Sequence, residues 1–286
     1  MIKYIRLKIK IFWKKNKLSS YYQRFKFVLK NDGYIKTIIK LFYFLFFFKF
    51  SKINLDKIKI SFSGKTLDEI FFYFGTDKAN FVGKEIYKGM KSNYQGHNYS
   101  IFYEQHFNKL RKEKLKILEL GVQRGFSSAS FYHYFQNSEI SCIDIDKHKI
   151  LYTSSRISNF EINLRDKSAV KKFTSKYKNY FDIIIDDASH FQRCIIENLN
   201  NFHIALKPQS YYVIEDYNQP EIFPEKMDCP NEPNISKLLQ LLRKKNSFKS
   251  DLLEKNSINF FIKNLKSIHT HKGNKPESTI AFIKIN

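Results

Sequence analysis

The stretch from Leu115 to Phe135 constrains the fold more than any other part of the chain. Leu115–Leu120, LKILEL, is an apolar run of strand length. Gly121-Val-Gln-Arg-Gly125 follows it, and small polar residues then open a helix expected from Ser127 toward Phe135. A strand, a glycine turn and a helix N-terminus form the nucleotide-cradling unit of an open α/β sheet. Gly121 lets the backbone turn sharply, and Gly125 leaves room for a ligand where a Cβ would collide. Glu119, at the strand end, is placed to accept from a ligand amine or hydroxyl. Taken alone, a G-x-x-x-G turn is common, and a plain strand-to-helix connection accounts for it equally well.

The next strand separates these readings. Ile140–Ile145, ISCIDI, carries Asp144 at its end, 23 residues after Gly121, with Asp146 two places on. That interval is close to the one at which nucleotide folds set a carboxylate on ribose hydroxyls. A pyrophosphate cofactor calls for G-x-G-x-x-G, which is absent here. The pattern favours an adenosyl ligand without phosphates and disfavours a dehydrogenase.

Two more apolar runs end in acids. Phe181–Ile185, FDIII, leads into Asp186-Asp187-Ala-Ser-His190, and Tyr211–Ile214, YYVI, leads into Glu215-Asp216. Both pairs are expected at the carboxyl edge of a parallel sheet, where open α/β folds bind ligands. Adjacent carboxylates repel one another and are costly to bury unpaired, a difficulty that a divalent cation removes. Oxygen ligands without cysteine suit Mg²⁺, Mn²⁺ or Ca²⁺ better than zinc. His190, three residues past Asp187, is placed to reach a substrate hydroxyl beside such a cation. A lone acid pair is usually a helix cap and a lone histidine usually structural. Two pairs at successive strand ends, one followed by His190, favour a site.

These residues carry a family resemblance. Glu119-Leu-Gly-Val-Gln-Arg-Gly125 with Asp144 resembles the first two motifs of class I S-adenosylmethionine (SAM)-dependent methyltransferases. The resemblance implies that the glycine turn faces the methionine part and that Asp144 holds the ribose. It also implies an acid after the third strand, where Asn163 stands instead, with Asp166 three residues later; either is a candidate for adenine. IIIDDASH followed by VIEDY is similar to the metal-dependent sugar O-methyltransferases typified by the macrocin and mycinamicin enzymes. Gly75-Thr-Asp-Lys78 and His97-x-Tyr99-x-x-x-Tyr103 resemble that group's entry signature, a segment closing over the cofactor. By this resemblance Asp187, Glu215 and Asp216 are the metal ligands, His190 is the base, and Thr76, Tyr99 and Asp186 join the cofactor site. Ala188 replaces the usual Gly before Ser-His, and Pro208-Gln-Ser replaces the common Pro-Gly-Gly turn. The likeness covers roughly residues 66–220, extends through Ile280–Ile283, and leaves residues 1–60 outside.

The fold implied is α/β, a Rossmann-like doubly wound sheet of seven strands. These are expected to start near residues 116, 140, 159, 181, 211, 265 and 279, the last antiparallel. Residues 66–286 form the methyltransferase domain and residues 1–65 a basic, aromatic, helical N-terminal extension. A helix is expected over Ile235–Lys245. The loop Asn218–Pro233 and residues 78–100 are expected to select the substrate. The activity implied is methyl transfer from SAM, with Mg²⁺ as the expected metal, to a sugar hydroxyl of a surface polysaccharide or glycoconjugate. Another small-molecule or lipid-linked diol and a non-catalytic scaffold are the alternatives.

Charge bears on partners. The net charge is +23, but residues 1–60 hold sixteen Lys/Arg against two acids, a net of +14. Only eight of the fifty basic residues are Arg, which argues against a nucleic-acid partner and leaves RNA methylation resting on charge alone. The most apolar run, Leu41–Phe48, is eight residues long, too short for a spanning helix of about 20. No cleavage site follows it, so it does not read as a signal peptide. It reads either as an arm packed on the catalytic domain or on a partner chain of a homo-oligomer, or as an interfacial helix giving residues 1–60 a peripheral membrane contact. Three cysteines without zinc spacing or an even count fit a reduced, cytoplasmic compartment, with any membrane contact at the inner face.

Overall fold

The computed structural model describes residues 52–82 and 94–286. The apolar run Leu41–Phe48 and the rest of residues 1–51 lie outside the described residues, as do residues 83–93 within the expected substrate-selecting segment 78–100. No helix among the described residues is long and apolar enough to cross a membrane.

Seven strands form the central sheet: β1 (Lys116–Leu120), β2 (Glu139–Asp144), β3 (Ile157–Glu161), β4 (Phe181–Asp186), β5 (Leu206–Glu215), β6 (Leu265–Lys272) and β7 (Thr279–Ile285). Their order across the sheet is β6-β7-β5-β4-β1-β2-β3. β1 through β5 run parallel, and β7 is antiparallel to both β5 and β6. This is the doubly wound α/β sheet that the sequence implies. β1 lies centrally, between β2 and β4, and the topological switch falls there.

The central strands read as largely apolar runs because both faces are covered. Alternation sorts their side chains between two cores. Ile117, Ile183, Ile185 and Val213 face one way, packing with Phe71 of α1 (Leu67–Phe74), Tyr103 of α2 (Ser100–Phe107) and Phe131 of α3 (Phe126–Tyr134). Leu118, Leu120 and Ile184 face the other way. They meet Phe173 of α4 (Lys167–Lys176), Ile196 of α5 (Gln192–Phe202), Leu239 of α6 (Ile235–Arg243) and Phe261 of α7 (Lys255–Asn264). α1 starts at a capping box, in which Thr66 accepts from the Glu69 amide and the Glu69 side chain accepts from the Thr66 amide. It stops at Gly75, whose φ of 75° is left-handed.

Two boundaries differ from expectation. Residues 52–65, expected within the extension, belong to the compact unit Lys52–Asn286. Leu55 is buried, Ile53 pairs with Tyr152, and Asp56 accepts from Tyr132, Ser154 and the Ser155 amide. β5 begins at Leu206 rather than near 211. Pro208-Gln209-Ser210 is an irregularity within the strand, between the Phe181–Leu206 and Ile183–Tyr211 pairings, with Gln209 at φ 61°.

Two histidines tie this core to pH. His133 of α3 stacks on Phe74 at 5.4 Å, and His106 of α2 stacks on Phe282 at 4.0 Å. Burial pushes both imidazoles down to about 4. Between pH 6.5 and 4 the unfolded chain therefore binds more protons than the folded one, and stability falls as pH drops through that window. His133 Nε2 is buried without a hydrogen-bond partner, so phenylalanine is tolerated there. We expect the thermal midpoint to fall less between pH 7 and 4.5 in His133→Phe than in the parent chain, by roughly 2–4 °C per kcal/mol relieved. Parallel pH profiles of the two proteins would refute the assignment.

Candidate active site

β1, β4 and β5 are neighbours, with Leu120 level with Asp186 and Asp186 level with Ile214. Their carboxyl ends therefore bring Gly121, Asp187 and Glu215 to one edge of the sheet. A cavity of about 210 Å³ opens there, lined by the glycine turn, by Asp144, by Asp187 and by Glu215-Asp216. Gly121 has φ 86°, and a Cβ on it would stand 2.3 Å from the Asp187 carbonyl oxygen. The residue is thus needed both for its left-handed backbone and for the close approach of the β4 loop. Asp144 Oδ2 accepts from the Gln123 amide at 2.8 Å and Oδ1 from the Asp146 amide at 2.9 Å, so this acid also holds the turn in shape. Gln123, His190 and Asp216 line the cavity with φ of 52°, 57° and 51°, conformations that cost a non-glycine residue energy and that cluster at functional sites.

The acids meet a buried cation. Lys78 Nζ lies 2.5 Å from Asp187 Oδ2 and 2.5 Å from Glu215 Oε2, and its side chain is 2% exposed. Burial alone would discharge this ammonium; Asp187 and Glu215 outweigh it and hold its pKa well above the usual lysine range. Glu215 Oε1 accepts from the Tyr103 hydroxyl at 2.5 Å. Asp216 accepts from the Tyr99 hydroxyl and, at 2.8 Å, from Gln219 Nε2. Burial raises Asp216 to about 7. His97 Nδ1 lies 3.4 Å from Asp216 and 2.8 Å from the Ser278 hydroxyl. His190 Nε2 lies 3.5 Å from Asp187 Oδ1. Burial pulls its pKa below the usual histidine value against the pull of Asp187, which keeps the imidazole neutral at pH 7.

Of the residues singled out from sequence, Thr76, Gly121, Asp144, Asp187, His190, Glu215 and Asp216 line this cavity, and Tyr99 touches it through Asp216. Five others stand elsewhere. Glu119 is fully buried, its carboxylate taken by the Ser127 and Ser128 hydroxyls. Gly125 has φ 80°, but a Cβ there would meet Ile150 at 2.9 Å rather than a ligand. Asn163 is exposed and accepts from the Arg165 amide, while Asp166 caps α4. Asp186 points to the opposite face from Asp187, as strand alternation requires. Asn198 Nδ2 reaches both its oxygens at 3.1 Å, Tyr212 donates to it, and burial raises it to about 7.

Sequence reading gave Lys78, Tyr103, His97 and Gln123 no role of their own. The four-residue step from Tyr99 to Tyr103, one face of a helix, was the available signal for a paired support beneath the acids. Among the described residues, no three His, Cys, Asp or Glu side chains converge as ligands on one point. Lys78 stands between two of the three acids, and Tyr99 and Gln219 engage the third.

No family model matches the chain. It is 28% identical over 127 residues to the demethylmacrocin O-methyltransferase of Streptomyces fradiae, a match covering 42% of this chain and 32% of that protein. It is 27% identical over 128 residues to the mycinamicin VI 2''-O-methyltransferase of Micromonospora griseorubida, covering 42% and 31%. Among solved structures it is similar to the MycE methyltransferase of the mycinamycin pathway in complex with Mg and SAH. The TM-score is 0.57 at 20% identity, over 77% of this chain and 54% of that one. The chain thus spans about a third of the length of the sequence relatives it matches and about half of the solved one. Sheet order, glycine turn and acid-ended strands agree with these likenesses: the chain has the class I methyltransferase fold and resembles the macrocin- and mycinamicin-type SAM-dependent O-methyltransferases.

Proposed function

We propose that this chain is a SAM-dependent O-methyltransferase that acts on a sugar hydroxyl of a polysaccharide or glycoconjugate. One observation carries the reading: the glycine turn with Asp144 and the set Asp187, His190, Glu215 and Asp216 face the same 210 Å³ cavity. A cofactor on the turn and an acceptor at the acids would then be neighbours. The relatives' names support the acceptor class: all are O-methyltransferases, and one is named for an alpha-L-rhamnosyl tetracenomycin-C substrate.

In this reading Gly121–Gln123 and Thr76 seat the methionine end, and Asp144 accepts from the ribose hydroxyls. Asn163 and Asp186 are left out, because neither lines the cavity. The donor set Asp187, Glu215 and Asp216 fits an oxygen-preferring dication in its chemistry: three carboxylates, no sulfur, and a single ammonium, that of Lys78, paired with two of them. A dication there would supply Lewis acidity to the acceptor hydroxyl and fix its direction. Transfer is an in-line displacement, with a C–O bond forming as the sulfonium S–C bond breaks, so alignment is most of what the chain must provide. His190, neutral through burial, takes the hydroxyl proton on a ring nitrogen.

Calorimetric titration of SAM into the purified chain, with and without Mg²⁺, tests this. Saturable one-to-one binding is expected, weakened about 10–100-fold in Asp144→Asn, where one charge-assisted acceptor is lost. No binding by the parent chain would sink the proposal.

A further inference from the structure

Lys78 is the buried cation of the acid cluster, and the mechanism above gives its side chain nothing to do. Its ammonium is 2.5 Å from Asp187 Oδ2 and 2.5 Å from Glu215 Oε2. A small dication about 2.1 Å from those same two oxygens would land on the ammonium or directly beside it. Water screens the repulsion poorly there, because Lys78 and Glu215 are each 2% exposed and only Asp187, at 22%, meets solvent appreciably. We propose that Lys78 and a divalent cation are alternative occupants of the Asp187–Glu215 pair, so that loading the site expels the lysine ammonium.

The inference rests on the dication placement proposed above and adds a requirement to it. The exchange involves the side chain alone. The Lys78 carbonyl accepts from the Tyr99 amide at 2.8 Å and the Ser100 amide at 3.3 Å, fixing the backbone to the start of α2. A four-carbon stem on a fixed backbone can swing, and the Asp77 and Glu119 carboxylates also attract its charge. The remaining ligand oxygens need not be vacated in the same way. Tyr103 and Tyr99 donate to the acids as neutral hydroxyls, which a cation tolerates beside it. The lysine is therefore a built-in counter-ion: it satisfies two buried acids while no metal is present, so the domain does not need metal to fold. It also sets a threshold that cation binding must exceed.

Mn²⁺ binding to the full chain, followed by the paramagnetic signal of the free ion, tests the exchange. Lys78→Met and Lys78→Gln are both expected to bind Mn²⁺ at least about tenfold more tightly than the parent. In the parent chain, reductive methylation read by peptide mass should find Lys78 protected without cation and modified severalfold more at saturating Mn²⁺. That measurement stands even if neither variant folds. Three results would overturn the exchange: equal Mn²⁺ affinity in parent and variants, Lys78 still protected at saturating Mn²⁺, or no Mn²⁺ binding by any of them. SAM titration of the same samples separates the two ideas. Normal SAM binding beside a failed Mn²⁺ result removes the exchange only, whereas loss of SAM binding in the parent removes the methyltransferase reading itself.

Discussion

Gly121→Ala is expected to weaken SAM binding by more than about 100-fold, a loss of at least roughly 2.7 kcal/mol. The added Cβ would stand 2.3 Å from the Asp187 carbonyl oxygen and 2.5 Å from the Ala188 Cα, both backbone atoms held by β4. Neither can turn aside as a side-chain tip would. The φ of 86° adds a cost of roughly 1–2 kcal/mol for any L-residue in that conformation. Relief must come from separating the β1 turn from the β4 loop, and that loop carries Asp187 and His190. Other glycines isolate the parts of this effect. Gly64, at φ 77° with nothing within 4 Å of where a Cβ would stand, should show the conformational cost alone and bind SAM normally as Gly64→Ala. Gly125, at φ 80°, meets side chains and no backbone, Ile150 at 2.9 Å and Tyr152 at 3.7 Å, and should fall between the two. A Gly121→Ala protein with the SAM affinity of Gly64→Ala would show that the close approach of the loops has no bearing on the site.

The parts of this fold that could be read from sequence share a physical cause. LKILEL and FDIII are largely apolar because β1 and β4 are covered on both faces, and the acids after them stand out because a sheet edge is where such runs must stop. β5 begins before the expected residue 211 because Pro208 reads as a turn in sequence, whereas the strand continues through it with Gln209 in the left-handed region. The acids of the site were legible one by one, but their partners were not. Lys78 lies 109 residues from Asp187 and 137 from Glu215, and no local pattern announces a contact across that distance. For the same reason Glu119 and Asp186, equally prominent at their strand ends, looked like ligand contacts. Whether a carboxylate faces a cavity or a serine hydroxyl depends on which helix covers it, and that is settled by packing.

His190→Ala should lower the rate of methyl transfer by about 10²–10⁴-fold while SAM affinity stays within about twofold. The separation follows from position. His190 stands on the loop after β4, 3.5 Å from Asp187 Oδ1 and so among the acids assigned to the acceptor, whereas the cofactor is assigned to Asp144 and the glycine turn. An alternative role for His190 is to orient Asp187 as a neutral hydrogen-bond partner, and the two roles predict different variants. Glutamine donates and accepts but takes up no proton at neutral pH. If His190 accepts the proton, His190→Gln should be as slow as His190→Ala. If it only steadies Asp187, His190→Gln should recover most of the rate, and His190→Ala should change Mn²⁺ affinity as well. The pH profile adds a third reading. Burial places the histidine's pKa below 6.5, so the parent's rate should hold through neutrality and fall only at lower pH as the imidazole takes up its proton. Both variants should lose that limb. A residual limb at the same pH in His190→Ala would assign it to another group, with Asp216, raised to about 7 by burial, the next to examine.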